Sequence, residues 1–473
     1  MDHRTQSTPR SAIRRFALPG AVLLALGGCT GGVQGKPGAV GLRDGLFPKL
    51  GNGGYDVEHY SLALDYDPAR HHLTGSVTLT ARATRDLSAF NLDFTGMDVT
   101  SATVGGERAD ANRAGDELTL RPADEIEKGS EFRTTVAYSG TPKTVTDQDD
   151  SHEGWLRTAD GALALGEPSG SMAWFPSNNH PSDKATYDIK ITVPRELKAV
   201  SNGELKSTVT AGGRTTFTWH TGEPMASYLA TVVIGAYDVK ESKTPSGLPV
   251  YTAVDTKLDS AAKKETADVV GRLPEIVEWA KENFGPYPFS STGVIIAPEG
   301  SAEYALETQN RPVVPADQLT TETLAHELAH QWFGDSVTPK RWKDMWLNEG
   351  FATYAEWLWS EDHDGKSAQA HFDEAYAKPD DDNVWAFPPA EPPSASVISD
   401  EPVYQRGAMV IHQIRRAVGD DTFYDIVRGW TKEHRHANAS TEDFTRFVEE
   451  ESGKDLTDLW DTWLYGDGKP KSP

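Results

Sequence analysis

Between residues 321 and 330 the chain reads Thr-Glu-Thr-Leu-Ala-His-Glu-Leu-Ala-His, and His326, Glu327 and His330 are of the types that hold a metal ion and move a proton. Leu324, Leu328 and Trp332 make one apolar stripe, with Gly334 following as a stop, so the spacing predicts a buried helix. Four helical residues turn through about 400°, which leaves His326 and His330 on nearly the same face, one turn apart. Two imidazole nitrogens can then meet on one ion. Glu327, beside the first of them, could take a proton from a water at that ion. A third ligand is available in Asn348-Glu349-Gly350-Phe351-Ala352, which opens another helical run. The 18 residues between His330 and Glu349 let one helix end, a loop cross Pro339 and a second helix return a carboxylate. Two His and one Glu leave the fourth tetrahedral position free, as a catalytic Zn2+ requires, and the pattern predicts one zinc per chain.

Those helices need a body to hold them. From about residue 51 to 238 the apolar residues alternate: Tyr60, Leu62, Leu64 and Tyr66; Leu73, Val77 and Leu79; Tyr187, Ile189, Ile191 and Val193. This is the period of half-buried strands, and Gly105-Gly106 and Gly212-Gly213 supply turns between them. After Tyr237 the spacing becomes helical through Val269, Leu273, Ile276 and Trp279, breaks at Gly285-Pro286, and gives one apolar strand at Val294-Ile295-Ile296. Helices dominate from Thr320. The expected organisation is α+β and multidomain: an antiparallel β domain over 51–238 and a mainly helical catalytic domain over 239–467. The acidic, Pro-rich interval of about 361–402, with Asp380-Asp381-Asp382 and Pro388-Pro389, is expected to be a solvated loop. His412, His434 and His436, in polar helical surroundings, are expected at the surface rather than on a metal.

The N-terminus carries Arg4, Arg10, Arg14 and Arg15 ahead of a short apolar run, Phe16 to Leu26, too short to span a bilayer as a stable helix. It ends in Leu26-Gly27-Gly28-Cys29, which resembles a bacterial lipobox, and Cys29 is the only cysteine of the chain. Residues 1–28 are therefore read as a lipoprotein signal peptide, by either the general or the twin-arginine route. A lipid on Cys29 would hold the exported protein on the outer face of the bacterial cytoplasmic membrane, with the Gly-rich residues 29–50 as a flexible tether. The formal charge of the whole chain is −25. The first 28 residues contribute four Arg against Asp2, so the remainder carries −28. Such a charge argues against nucleic acid as a partner and against an electrostatic hold on anionic lipid.

With the two metal-binding segments in hand, the chain resembles the M1 family of metallopeptidases, gluzincin aminopeptidases related to aminopeptidase N and leukotriene A4 hydrolase, from about residue 55 to about 465. The resemblance extends to Glu167-Pro168, Phe175-Pro176 and Pro181-Ser182-Asp183-Lys184-Ala185, to Ser201-Asn202-Gly203, and to Phe284-Gly285-Pro286-Tyr287-Pro288. Tyr404-Gln405-Arg406-Gly407-Ala408 is similar to the family's Tyr-x-Lys-Gly segment, with Arg in place of Lys. The resemblance implies a saddle-shaped β domain packed on a thermolysin-like domain with the substrate cleft between them, and a short form without the C-terminal helical domain of longer members. It also implies roles. Zinc would be held by His326, His330 and Glu349, with Glu327 as general base and Tyr404 as oxyanion donor. Glu307, in Tyr304-Ala305-Leu306-Glu307-Thr308 where the family has Gly-x-Met-Glu-Asn, would bind the substrate's free amino group with Glu167 as a second acid. Glu303 competes with Glu307, because four residues along a strand return a side chain to the same face.

The expected activity is a zinc aminopeptidase acting on peptide substrates. Two alternatives stay open: a zinc endopeptidase or epoxide hydrolase on the same scaffold, which the altered 304–308 segment would permit, and a lipoprotein that binds peptides without cutting them, against which Glu327 and Tyr404 speak.

Overall fold

Residues 34–471 are described by the structure, a computed structural model; the signal segment and Cys29 lie outside them. Period-two burial puts Tyr60, Leu62, Leu64 and Tyr66 of Tyr55–Asp67 into the core, with the matching residues of His72–Ala83 and Lys184–Pro194. These three strands form the middle of an eight-stranded sheet. Its spatial order is Glu204–Ala211, Arg214–Ala226, Lys184–Pro194, Tyr55–Asp67, His72–Ala83, Glu131–Gly140, Asp98–Val104 and Glu107–Arg108. All neighbours are antiparallel except Lys184–Pro194 against Tyr55–Asp67. More than a hundred residues separate those two strands in the sequence, ample for the crossover that a parallel pair demands.

A five-stranded sheet, Thr144–Thr146, His152–Arg157, Ala162–Leu165, Val232–Gly235 and Lys198–Ser201, lies in the same half. Ala162–Leu165 and Val232–Gly235 are buried throughout, which explains their unbroken apolar sequences. The chain leaves this layer at Ala236, just before the boundary expected after residue 238. Tyr237–Lys243 already pairs with Pro249–Asp255 in a four-stranded sheet completed by Thr292–Ala297 and Val313–Pro315.

Helices follow: α1 (Ser260–Val270), α2 (Leu273–Phe284), α3 (Thr321–Ala329), α4 (Trp346–Asp362), α5 (Ala368–Tyr376), α6 (Gly407–Val418), α7 (Asp420–Glu433), α8 (Thr441–Ser452) and the short α9 (Thr457–Leu459). None among the described residues is long and apolar enough to cross a membrane.

Two expectations about loops need correction. The tether expected over 29–50 is packed from Lys36 onward. Lys36–Pro37 adds in parallel to Leu87–Asp93, Phe47 and Leu50 are buried, and the Phe47 ring lies 5.3 Å from Trp342 of the helical half. Glycine content reports backbone freedom in the unfolded chain, and one strand pairing with two buried side chains suffices to fix such a segment. The interval 361–402 is likewise no solvated loop: it contains α5 and buries Val384, Trp385, Phe387, Ala390, Ala395 and Ile398. None of its acids is buried, while its apolar residues, too widely spaced to show a period, enter the core. His412 departs from the surface reading as well. It is buried, bonded to the Tyr354 hydroxyl at 3.1 Å and to Gln369 Oε1 at 3.1 Å. His434 and His436 are half-buried.

Candidate metal centre

Helix α3 begins at an N-cap, Thr320, whose hydroxyl accepts from the amide of Thr323, and buries Leu324 and Leu328. That burial turns the opposite stripe, His326 and His330, toward a cavity of about 520 Å³. The helix ends at Ala329 with His330 as its cap, four residues before the glycine expected to stop it. The chain then winds through wider turns, with the amides of Asp335, Ser336 and Val337 donating to the carbonyls of His330, Gln331 and Trp332.

Helix α4 crosses α3 and places Glu349 in its first turn opposite both imidazoles. Glu349 Oε2 lies 3.3 Å from His326 Nε2 and 3.4 Å from His330 Nε2. The far nitrogens settle the tautomers. His330 Nδ1 faces the Phe333 carbonyl at 2.9 Å, and His326 Nδ1 faces Glu356 Oε1 at 2.6 Å. A carbonyl and a carboxylate can only accept, so each Nδ1 carries a proton, which leaves each Nε2 as the atom that can offer a lone pair to a metal ion beside Glu349.

Three lone pairs facing one point require a cation. The donor set, two imidazole nitrogens and one carboxylate oxygen within 4.8 Å of one another, is the one zinc takes with a coordination position to spare. Burial alone would lower the His330 imidazole, but the Glu349 and Glu307 carboxylates outweigh it and push it up to about 9. Burial would raise Glu349, and the two imidazoles hold it at about 2. The residues present therefore fit one zinc ion.

Glu327 is 6% exposed, lines the same cavity, and has no hydrogen-bond partner on Oε2. Burial, opposed by His326 and His330 and reinforced by Glu307 and Glu349, pushes its carboxyl up to about 7. Tyr404 reaches the cavity from a π-helical turn, Pro402–Arg406, and its ring stacks on His326 with centroids 6.1 Å apart. Burial, then the carboxylates of Glu349 and Glu167, drives its hydroxyl well above the ordinary range, so it remains a donor.

Glu307 and Glu167 line the cavity beside the metal triad, and one carboxylate oxygen from each lies within 4.8 Å of one from Glu349. Burial is the first cause that raises both above the usual carboxylate range. Glu303 also borders the cavity, but its side chain is 56% exposed and bonded to His152 Nδ1 at 3.1 Å. The segment is a loop anchored by one bridge between Leu306 and Val313 rather than a strand, so the four-residue rule that made Glu303 a rival does not apply.

The matching segments without obvious chemistry prove to be braces. Gln331, next to His330, donates from Nε2 to the Glu307 carbonyl at 3.2 Å and accepts from the Asn310 amide at 2.8 Å, which ties the Glu307 loop to the metal helix. Asn202 Nδ2 donates to Gln309 O at 2.8 Å, and Arg311 donates to the carbonyls of Ser201 and Gly203. Lys184 Nζ donates at 2.9 Å to each of the carbonyls of Asp335 and Ser336. Arg406 is fully buried and donates to the carbonyls of Phe387, Thr462, Trp463 and Gly466. Glu356 went unread in the sequence. Its one signal was its place seven residues after Glu349, two turns along the same helical face.

Comparison with known proteins finds similarity over both halves of the chain. The Peptidase M1 N-terminal domain matches residues 56–229 and the Peptidase family M1 domain matches residues 265–463. The chain is 30% identical over 336 residues to Aminopeptidase M1-B of Oryza sativa subsp. japonica, covering 65% of this chain and 37% of that protein. It is 26% identical over 376 residues to Glutamyl aminopeptidase of Bos taurus, covering 72% and 36%. The chain thus spans well under half the length of these curated relatives. Among solved structures, an M1 zinc metallopeptidase from Deinococcus radiodurans superposes with a TM-score of 0.83 at 29% identity, covering 92% of this chain and 98% of that one. A mutant of it bound to a Tyr-Ser-Ala substrate gives 0.82 at 30% identity, covering 92% and 99%.

Proposed function

The chain belongs to the M1 peptidase family, and from that premise we propose that it is a zinc aminopeptidase releasing single residues from the N-terminus of peptides. One observation carries the reading. Glu307 and Glu167 bring two carboxyl groups together beside Glu349, so a substrate held there by its α-ammonium presents its first carbonyl at the metal centre. The M1 zinc metallopeptidase structure with Tyr-Ser-Ala supports a peptide occupant for this cleft.

His326, His330 and Glu349 hold the zinc, with Glu356 and the Phe333 carbonyl fixing the imidazoles. When bound, zinc supplies Lewis acidity toward a carbonyl and lowers the pKa of water. Glu327 takes the proton of the attacking water and returns it to the leaving amine. The Tyr404 hydroxyl donates to the oxygen that gains charge on the scissile carbonyl. Glu307 and Glu167 bind the ammonium and set where cleavage begins. Aminoacyl anilides, free and N-acetylated, test this directly. Free substrates are expected to be cut and acetylated ones to be poor, since they carry no charge for Glu307; equal rates would show an endopeptidase instead.

Export and a lipid on Cys29 are part of the same proposal, supported by Leu26-Gly27-Gly28-Cys29 alone. The exported protein is expected to partition into detergent and Cys29→Ser to be released or left unprocessed; unchanged membrane attachment in that variant would point to another anchor.

A further inference from the structure

Glu153 is a buried carboxyl that no step of the mechanism uses. It stands on the strand His152–Arg157 with none of its surface exposed, and it is not one of the residues lining the cavity. A Glu is almost never fully buried unless a partner offsets the loss of water. The partner is Ser169, whose hydroxyl donates to Glu153 Oε1 at 2.6 Å and whose amide lies 3.2 Å from each carboxyl oxygen. Ser169 follows Glu167 by two residues, and the carbonyls before it are held as well. The Tyr304 hydroxyl donates to the Glu167 carbonyl at 3.3 Å, and Asn179 Nδ2 donates to the Pro168 carbonyl at 3.2 Å. Strand and turn lie directly against each other: Gly154 pairs with Leu165, and a β-carbon on Gly170 would stand 2.5 Å from the Gly154 nitrogen.

We propose that Glu153 is a positioning residue, holding the turn from Glu167 to Ser169 so that the Glu167 carboxyl stays beside Glu307 where the substrate's ammonium binds. The two acids of that site come from different halves of the chain. Glu307 is fixed to the metal helix through Gln331, whose Nε2 donates to its carbonyl. Glu167 comes from the β half, and its turn is fixed to the sheet through Glu153 and Ser169. An ammonium shared between two acids is held well only if both keep their places, because a small misplacement spoils the alignment of the carbonyl to be attacked. The brace also suits its neighbours in charge. Burial, opposed by the hydrogen bonds from Ser169 and reinforced by Asp147, pushes the Glu153 carboxyl up to about 8. Near pH 7 it holds the turn largely as the neutral acid and adds little repulsion to the acids it serves. This inference rests on the amine-site reading of Glu167.

The test is a double-mutant cycle read as kcat/KM for a free aminoacyl anilide, with the zinc content and urea midpoint of each variant measured alongside. Glu153→Ala should keep zinc and lose on the order of 10- to 100-fold, the scale of a reacting group displaced by about 1 Å. In the Glu167→Gln background the same change should cost less than about threefold, because a brace acts only through what it braces. Glu153→Gln keeps the side chain's shape and an accepting oxygen, and should recover most of the loss. Should Glu153→Ala not fold, Ser169→Ala removes the hydroxyl bond from the other side. Its loss of about threefold to tenfold, that of one hydrogen bond, should likewise vanish in Glu167→Gln. A well-folded Glu153→Ala with the kcat/KM of the wild type overturns the proposal. So does a loss of equal size with and without the Glu167 carboxyl, which a merely structural role for Glu153 would give. The amine site is judged separately. If Glu167→Gln costs activity and Glu153→Ala adds its full loss on top, the brace falls and the amine site stands; a silent Glu167→Gln removes both.

Discussion

Glu327 and Glu349 are both buried carboxylates on the metal cavity, yet their surroundings divide their work. Glu349 is clamped between two imidazoles, whereas Glu327 has an oxygen without a partner. Glu327→Gln removes a proton acceptor and no metal donor. It should keep stoichiometric zinc by metal analysis and lose about 10²- to 10⁴-fold in turnover; activity near wild type would remove Glu327 from proton transfer. Glu307→Ala leaves a substrate ammonium without its buried partner, a loss that typically costs about 3–5 kcal/mol. At 1.36 kcal/mol per decade, kcat/KM should fall on the order of 10²- to 10³-fold with zinc retained; a silent Glu307→Ala beside a crippling Glu303→Ala would move the amine site four residues earlier. Glu356→Ala frees the His326 Nδ1 proton from its acceptor, so zinc affinity should drop about 10- to 100-fold in chelator competition, and equal affinity would make Glu356 a bystander. His326, Glu327, His330 and Glu349 were legible in the sequence because helical geometry alone brings two imidazoles together and their types are rare in a buried stripe. Glu356 was not, since a Glu on a helix is ordinarily a solvated residue and only the pairing with His326 gives it meaning.

At the scale of elements, the site depends on how closely α4 approaches α6. Gly350 follows the ligand Glu349, and Gly407 closes the turn that carries Tyr404. A β-carbon on Gly350 would stand 2.9 Å from the Gly407 carbonyl carbon, and one on Gly407 would stand 3.0 Å from the Gly350 α-carbon. Real side chains do not tolerate such distances, so the two glycines let the helices meet backbone to backbone. Gly350→Ala should therefore push the helices apart, costing about 1–3 kcal/mol in a urea unfolding series. Turnover should fall more than stability would suggest, because the displaced residues flank Glu349 and Tyr404; a fully active, equally stable variant would show that the contact has room to relax. The glycines could be read from the matching segments, but their reason could not, since nothing in either segment says that the other is its neighbour. Arg406 carries the same lesson. It stood in the sequence as a replacement for Lys, and the structure employs it as a buried hub whose donors hold four carbonyls from Phe387 to Gly466 around the Tyr404 turn.

Across the whole molecule, cleft geometry depends on the two halves keeping their places, and Asp44 links them. It lies in the segment whose Gly and Pro residues suggested a tether, where no periodicity announced burial. Its Oδ1 accepts from the amides of Leu46 and Phe47 at 2.8 and 3.2 Å. Its Oδ2 accepts from the Trp342 amide of the helical half at 3.1 Å and lies 3.4 Å from His180 Nε2 of the β half. Burial alone would raise the Asp44 carboxyl, but the hydrogen bonds from His180 and from the amides of Leu46, Phe47 and Trp342 outweigh it and hold it at about 2, below the ordinary 3.8. A carboxyl depressed in the folded state stabilises that state above the unfolded pKa and ceases to do so as pH falls through the folded one. Asp44 is 7% exposed, so solvent screens little of this, and the difference corresponds to about 2 kcal/mol. Asp44→Asn cannot accept on both atoms, and its amide turns a donor toward the Trp342 N–H. The variant should be less stable than wild type by about that amount at neutral pH, with the gap narrowing between about pH 4 and pH 2 as the wild-type carboxyl takes up its proton. Urea unfolding of both proteins across that range measures it. A gap that stays constant down to pH 2 would show that the charge of Asp44 contributes nothing and that the clasp works through shape alone.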